Sequence, residues 1–179
     1  MLMLASIWLQ LIGEEEASLG ALIAMLASAH GTVPFQPHLT VCSPQANPGS
    51  WDAAAEYIRG SRLLPLRVKK ERISYSTTAP MRAVIIDVEA AADLRHFRED
   101  LRRITGAAEP HPPHISLLYS VDETGRQPSW SSDESRLTAI AEECDRRVDA
   151  REFVLDRPVI VTPDGAWTNI ASWRVVRSL

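Results

Sequence analysis

The sequence contains only two cysteines, Cys42 and Cys144, and they lie far apart in the chain. This number excludes a disulfide framework, and a structural zinc site would need more ligands at close spacing. Two lone thiols are typical of a reducing compartment. We expect both to pack as small buried apolar side chains, with Cys42 the closer of the two to the groove predicted below.

Positive charge is also scarce, since 19 Lys and Arg oppose 23 Asp and Glu and the net charge is −4. This balance argues against a protein that holds long nucleic acid mainly through phosphate contacts. The most basic stretch contains Arg67, Lys69, Lys70 and Arg72. We interpret it as the solvated face of a strand; steering of a phosphate is the alternative. A small phosphate-bearing substrate needs only a local positive pocket.

A long hydrophobic run is missing as well. Residues 1–12 are apolar, but such a segment is too short to cross a bilayer. No basic region precedes it and acidic Glu14, Glu15 and Glu16 follow it, so a signal peptide is disfavoured. We interpret this segment as a buried first strand and expect a cytoplasmic monomer with no membrane partner.

Two short segments, 76 positions apart, share one pattern. Each reads Pro-His-apolar-hydroxyl-apolar: Pro37-His38-Leu39-Thr40-Val41 and Pro113-His114-Ile115-Ser116-Leu117. Residues i and i+2 of a strand point to the same face, so each segment would present an imidazole beside a hydroxyl. The final apolar residues, Val41 and Leu117, would point to the opposite face, towards a core.

The surrounding chain repeats the same order of elements. Hydrophobic periodicity and turn residues predict strands at 6–12, 38–43, 63–76, 81–88, 114–120, 152–161 and 167–176, and helices at 14–29, 51–59, 90–104 and 133–147. A shift of 76 positions superimposes His38 on His114 within this order. We therefore predict one α+β domain over 1–179, built from two similar lobes (roughly 1–76 and 77–179) whose motif strands face a shared groove.

Two facing His–hydroxyl pairs suit the hydrolysis of a phosphodiester. The reaction needs a base for the water proton, an acid for the leaving oxygen and donors for the nonbridging oxygens. Imidazole titrates near neutral pH, so His38 and His114 are the candidate acid and base, and Thr40 and Ser116 are the candidate phosphate donors. The sequence contains no cluster with metal-ligand spacing, so we expect no metal or other cofactor.

With these two motifs the chain resembles the 2H phosphoesterase superfamily, which is named for paired His-x-Thr/Ser motifs. The segments His114–Ser120 and Ser6–Leu9 resemble the cyclic phosphodiesterases of plant and yeast type. The resemblance implies a bilobal fold with antiparallel sheets, helices outside and the motifs on adjacent central strands. It also implies the opening of ADP-ribose 1″,2″-cyclic phosphate, or of nucleoside 2′,3′-cyclic phosphates to 2′-phosphates, after tRNA splicing.

Aromatic residues extend the candidate site. Tyr119 matches a groove tyrosine of those enzymes, but strand parity places it opposite His114, so it reaches the groove only through a bulge or a strand end; core or edge packing is the alternative. Trp167, predicted with Trp173 in the last strand, is a candidate for stacking a base or ribose. His111, His30, His96 and the arginines of 98–103 are predicted at the surface.

Two other functions remain open at this point. One is an RNA 2′,3′-cyclic phosphodiesterase of the RNA-ligase-like branch, which should show a basic track beside the groove. The other is a non-catalytic module that binds nucleotides or RNA ends, which would not need two titrating histidines. The acidic net charge favours a small cyclic nucleotide. Which histidine is the acid and which is the base does not follow from the sequence.

Overall fold

The computed structural model describes residues 5–45, 50–108 and 111–179, with the side chains of 43–45 left aside. These residues form seven strands and four α-helices in the predicted order. The elements are β1 (Ala5–Leu11), α1 (Glu14–His30), β2 (His38–Gln45), α2 (Trp51–Gly60), β3 (Leu66–Tyr75), β4 (Val84–Val88), α3 (Ala92–Thr105), β5 (His114–Leu118), α4 (Glu134–Arg147), β6 (Glu152–Thr162) and β7 (Arg174–Ser178).

The helix boundaries follow local chemistry. Glutamates fill the first turn of α1, where the helix dipole favours negative charge, and Gly31 ends it in the left-handed conformation (φ 66°). Helix α4 begins where the Asp133 side chain accepts a hydrogen bond from the Arg136 backbone N–H. Within the described residues, no helix has both the length and the apolar composition that a membrane span requires.

The strands form one antiparallel sheet in the order β1-β2-β5-β4-β3-β6-β7. Strand β6 also pairs with β1: Leu155 has Leu11 as its partner in β1 and Leu66 as its partner in β3. A strand residue can pair with two partners only when they lie on opposite edges of its strand. Strand β6 therefore lies between β3 and β1, and the strands β1 to β6 form a closed ring. The two motif strands, β2 and β5, are neighbours in this ring, and Leu39 pairs with Ile115.

The strand pairings obey a pseudo-two-fold relation between the halves of the chain. The pair β1–β2 corresponds to β4–β5, and β1–β6 corresponds to β4–β3. The third strand of each half therefore pairs with the first strand of the other half, while α1 packs on β5 and α3 packs on β2. The predicted α+β fold with antiparallel strands in two similar lobes is confirmed. Strand β7 has no counterpart in the first half.

The two faces of the motif strands have different surroundings. Odd-numbered residues of β1, β2 and β5 enter the main core, where they are at most 1% exposed: Ile7, Leu9, Leu11, Leu39, Val41, Ile115 and Leu117. Six of the even-numbered residues line a pocket on the opposite face: Ser6, Trp8, His38, Thr40, His114 and Ser116. Burial of the apolar face, at about 25 cal/mol per Å², therefore determines which side chains the pocket receives.

Three predicted strands begin later in the structure than the sequence predicted, and the strand predicted from residue 63 begins at Leu66. The segment 167–173 is a compact loop with a 3₁₀ turn at Ile170–Ser172, because the Trp173 indole donates to the Trp167 carbonyl (2.9 Å). The strand predicted from residue 81 begins at Val84. Pro80–Arg82 form another 3₁₀ turn, in which the Arg82 N–H donates to the Ala79 carbonyl (2.8 Å).

The contact between Leu39 and Ile115 should contribute strongly to stability because it joins the two motif strands at full burial. We expect Leu39→Ala to lower the free energy of unfolding by about 2–5 kcal/mol, through lost transfer energy and a cavity. Urea denaturation would measure the change. Val176→Ala, at a position 57% exposed, is the matched control and should stay within about 0.5 kcal/mol. A loss for Leu39→Ala no larger than that of the control would contradict this role.

Candidate active site

A pocket of about 490 Å³ opens on the polar face of β1, β2 and β5. Its lining includes every site residue predicted from the sequence: His38, Thr40, His114, Ser116, Tyr119 and Trp167. The remaining lining residues come from β1, from the 3₁₀ turn at 80–82, from α3 and from loops: Ser6, Trp8, Ala79, Pro80, Met81, Arg82, Arg98, Ala108, His111 and Trp173.

The antiparallel register alternates the two kinds of polar group across the strands. Because Leu39 pairs with Ile115, continuation of the register by one residue places His38 beside Ser116 and Thr40 beside His114. Directly opposed residues have Cβ atoms roughly 5 Å apart, and diagonal neighbours such as the two histidines lie roughly 7–8 Å apart. A phosphate group between the strands would thus have an imidazole on each side and a hydroxyl near each imidazole.

Both histidines make the same contact with the backbone. His38 Nδ1 lies 2.7 Å from the Gln36 carbonyl oxygen, and His114 Nδ1 lies 2.8 Å from the Pro112 carbonyl oxygen. A carbonyl oxygen only accepts hydrogen bonds, so Nδ1 carries the proton in each neutral ring and Nε2 is left with its lone pair. In each imidazole the backbone therefore holds Nδ1, which fixes the orientation of the ring, and the lone pair of Nε2 can accept a proton.

His38 is held neutral by its surroundings. Its side chain is buried, and its ring stacks on Trp8 with the centroids 3.6 Å apart and the planes 11° apart. Burial lowers the pKa of His38 to about 4; the hydrogen bond to Gln36 opposes this shift, and the nearby His114 adds to it.

His114 is half-buried, and its surroundings are more strongly positive. Burial is the main cause that lowers its pKa, the hydrogen bond to Pro112 opposes the shift, and Arg82, Arg98 and His111 lower the pKa further. An anionic ligand among these groups would reverse that effect, because it favours the protonated ring.

Comparison with known proteins supports the architecture. No protein-family model matches the sequence, and no curated protein sequence is significantly similar to it. A solved phosphoesterase is 13% identical, with 99% of this chain and 97% of that chain covered and a TM-score of 0.59. Structures of E. coli LigT with ATP (12% identity, TM-score 0.56) and with 3′-AMP (13%, 0.56) each cover 99% of this chain and 96% of theirs. The chain has the 2H phosphoesterase fold.

In this 2H phosphoesterase fold the hydroxyl groups differ in their present partners. Ser116 Oγ donates to the Met81 carbonyl oxygen at 3.1 Å, so it must rotate before it donates to a ligand. Thr40 is half-buried and lines the pocket beside His114. Of the two predicted donors, Ser116 is therefore the one whose use requires an existing hydrogen bond to break.

Aromatic side chains form the wall of the pocket on the His38 side. Strand β5 ends at Leu118, and this strand end allows Tyr119 to line the pocket despite the parity of a regular strand. Tyr119 is buried, stacks on Phe35 (centroids 3.7 Å apart) and meets Trp173 edge-on (5.7 Å). Trp173 also contacts Trp8 and Trp167, so the four aromatic rings of the pocket form one connected group.

Three further residues of the pocket, Arg82, Arg98 and His111, were not predicted from the sequence. Arg98, predicted at the surface, is 8% exposed, and its Nη2 donates to the His111 carbonyl oxygen at 2.5 Å. That prediction was wrong because Arg98 lies one turn after Leu94, on the buried stripe of α3, and this spacing is visible in the sequence. Arg82 and His111 also line the pocket, although the His111 side chain is exposed as predicted. Sequence spacing gave no signal for these two.

The two cysteines and the histidines His30 and His96 do not line the pocket. Cys42 and Cys144 are both buried, and Cys42 Sγ lies 3.2 Å from Thr105 Oγ1. His96 is exposed, whereas His30 is half-buried against Trp130 and Arg136. Across the described parts of the chain, no group of three or more His, Cys, Asp or Glu could hold a metal ion.

The burial of neutral His38 should make the protein sensitive to acid. Its folded-state pKa lies below the usual 6.5, so the unfolded chain binds the proton first and stability falls as pH drops from 6.5 towards 4. The expected loss from this group is about 3 kcal/mol over that range. Urea denaturation at several pH values should show a shallower slope for His38→Gln than for the wild type. His96→Gln, at an exposed position, should keep the wild-type slope, and equal slopes for all three proteins would refute the explanation.

Proposed function

We propose that the protein is a 2H cyclic phosphodiesterase that hydrolyses a small cyclic nucleotide phosphate without a metal ion. The substrate class is ADP-ribose 1″,2″-cyclic phosphate, nucleoside 2′,3′-cyclic phosphates, or both, with 2′-phosphates as the products of the latter. One observation carries the proposal: His38 and His114 lie on adjacent strands, have the same Nδ1–carbonyl contact and line the same pocket.

The two imidazoles suit the two proton transfers of the reaction. Water attacks phosphorus, and its proton passes to the Nε2 lone pair of the base. The bond from phosphorus to one ribose oxygen breaks, and this oxygen takes a proton from Nε2 of the acid. Thr40 and Ser116 donate to the nonbridging oxygens as negative charge grows there. The product is a phosphate monoester, and solvent returns both histidines to their starting states.

Burial favours one assignment of the two roles. His38 is the more buried imidazole and is covered by Trp8, so its neutral form is favoured and it suits the base. His114 is the more open of the two, and a bound phosphate anion beside it would favour its protonated form, so it suits the acid. Tyr119 and Trp167 complete the proposed site as contacts for the base or ribose.

Nucleotide binding in this fold has a precedent in the solved LigT complexes with ATP, 3′-AMP and NADP⁺. The same likeness is compatible with an RNA 2′,3′-cyclic phosphodiesterase of the RNA-ligase-like branch. The two functions share the chemistry of the site and differ in the length of the substrate. A comparison of substrates therefore separates them, and a non-catalytic binding module would turn over none.

A panel of cyclic phosphates tests the proposal directly. It comprises ADP-ribose 1″,2″-cyclic phosphate, the four nucleoside 2′,3′-cyclic phosphates and an RNA that ends in one. We expect turnover of the small substrates, a loss of at least about 100-fold in kcat for His38→Ala or His114→Ala, and weaker binding for Thr40→Ala or Ser116→Ala. His96→Ala is the exposed control. Full activity in either histidine variant would refute the mechanism, and activity that disappears in EDTA and returns with a divalent ion would refute the metal-free claim.

The pH dependence of kcat/KM should be bell-shaped and displaced towards acid. Both histidines have pKa values below 6.5 in the free protein, about 4 for His38. The base loses activity below the lower value and the acid loses activity above the higher one, so the maximum should lie between about pH 4 and 6.5, with apparent values that belong to the pair. The alkaline limb of kcat should lie at higher pH, because bound phosphate stabilises the protonated acid. A kcat/KM that still rises above pH 7 would contradict this scheme.

A further inference from the structure

Two arginines and a histidine, Arg82, Arg98 and His111, line the pocket near His114. Arg82 ends the 3₁₀ turn before β4, Arg98 projects from the second turn of α3, and His111 lies three residues before the second catalytic histidine. The two arginines are charged at neutral pH and lower the pKa of His114, whereas burial and the same arginines lower the pKa of His111, which therefore favours its neutral form. We refer to this group as the arginine wall.

The arginine wall has no counter-ion in the described part of the chain. Eight other arginines there pair with a carboxylate, but neither Arg82 nor Arg98 does so, and no described residue that lines the pocket is acidic. Charged groups of one sign that line a pocket with low-dielectric walls create a local potential that attracts the opposite charge. The two arginines therefore make this side of the pocket positive in a protein whose net charge is −4.

Arg98 is costly to bury in this setting. Its side chain is 8% exposed, and burial lowers its pKa to about 10, so it remains charged at neutral pH. One Nη2 contact to the His111 carbonyl oxygen satisfies part of the guanidinium, while Nε is buried without a hydrogen-bond partner. A buried cation without an anion lowers stability, and a ligand anion in the pocket would offset that cost.

The arginine wall lies apart from the aromatic group of the pocket. Trp8 stacks on His38, and Trp173 joins Trp8 to Tyr119 and Trp167. Arg98 instead contacts the His111 carbonyl oxygen, three residues before His114. Arg82 follows Met81, whose carbonyl oxygen accepts a hydrogen bond from Ser116 on the His114 strand. The reacting phosphate thus has an aromatic region on one side and a cationic region on the other.

We propose that Arg82, Arg98 and His111 bind a second phosphate group of the substrate, carried on carbon 5 of the ribose that bears the cyclic phosphate. This proposal rests on the proposed function, because it takes the cyclic phosphate to lie between His38 and His114. In a nucleoside 2′,3′-cyclic phosphate, the base and carbon 5′ leave the same face of the ribose but from its two ends, since carbon 1′ adjoins carbon 2′ and carbon 4′ adjoins carbon 3′. The base would then meet the aromatic rings while a 5′-phosphate meets the arginines.

The chemistry of arginine suits this ligand. A guanidinium presents its donors in a planar fork that matches two phosphate oxygens, and such charge-assisted hydrogen bonds are among the stronger ones in proteins. The preferred substrates would accordingly carry a 5′-phosphate, either as a monoester or as a diester to a preceding group. Nucleoside cyclic phosphates without it would bind more weakly.

Binding of product analogues tests the second phosphate site without turnover. Isothermal titration would compare adenosine 2′,5′-bisphosphate with adenosine 2′-phosphate. We expect the wild type to bind the bisphosphate about 10- to 100-fold more tightly than the 2′-phosphate, because the 2′-phosphate lacks the charge-assisted contact of the 5′-phosphate. This ratio should fall below about threefold in Arg98→Met and in Arg82→Gln. Arg103→Met, on the same helix but 68% exposed and paired with Glu99 and Asp100, is the control and should keep the full ratio.

Equal affinities of the wild type for both ligands, or a ratio that survives in both arginine variants, would overturn the second phosphate site. Circular dichroism checks that each variant is folded. Should Arg98→Met fail to fold, Arg82→Gln decides alone, since Arg82 is only half-buried.

Kinetics then identify the form of the second phosphate and separate the two proposals. We would compare kcat/KM for adenosine 2′,3′-cyclic phosphate, its 5′-phosphorylated form and a dinucleotide that ends in a 2′,3′-cyclic phosphate. A preference for the 5′-phosphorylated mononucleotide alone indicates a monoester, and an equal preference for the dinucleotide indicates that a diester suffices. Tight bisphosphate binding without any hydrolysis would refute the proposed function but support the phosphate site. Hydrolysis without any preference for a 5′-phosphate would do the reverse.

Discussion

The antiparallel pairing of β2 with β5 is the constraint on which the rest of the site depends. Leu39 and Ile115 meet at full burial, and because side chains alternate along a strand, their even-numbered neighbours must point away from the core. The pocket therefore receives His38, Thr40, His114 and Ser116 as a consequence of apolar packing. A shift of one residue in either strand would bury a histidine in the apolar core and expose a leucine or isoleucine, so the hydrophobic effect maintains the geometry of the site.

A second constraint is local and appears in both halves. Gln36 and Pro112 each precede a proline, and a residue before proline is restricted to extended backbone conformations. The carbonyl of each is thereby held where the histidine two residues later donates to it through Nδ1. The proline in each motif thus has a chemical role, since it helps to select the ring tautomer that leaves Nε2 available. The repeat of this device in both halves agrees with the pseudo-two-fold order of the strands.

Much of the fold and the centre of the site were predictable because they depend on short-range patterns. Strand alternation, helical stripes and the glycines after α1 and α3 gave the order of elements, and the paired motifs gave four pocket residues. The strand pairing between the two halves was not predictable, because no local sequence pattern determines that β3 pairs with β4 and β6. The loop at 167–173 was mistaken for a strand because its apolar residues fit a strand pattern, whereas the Trp173 indole N–H donates to the Trp167 carbonyl six residues earlier and the chain turns back on itself. Tyr119 reached the pocket through the end of β5, which periodicity alone does not locate.

At Arg98 the spacing in the sequence predicts burial, whereas the charge of the side chain predicts exposure. Its position on the buried stripe of α3 follows from its spacing to Leu94, yet an arginine on such a stripe is usually assigned to solvent because burial of its charge is costly. Here the buried Arg98 lines the same pocket as His38 and His114, and burial favours the neutral forms of these two imidazoles. The same desolvation thus acts on all three side chains, and in each case the binding of an anion reverses its effect. Without an anion the buried guanidinium is left uncompensated, and under the proposed function a phosphate-bearing ligand would compensate it.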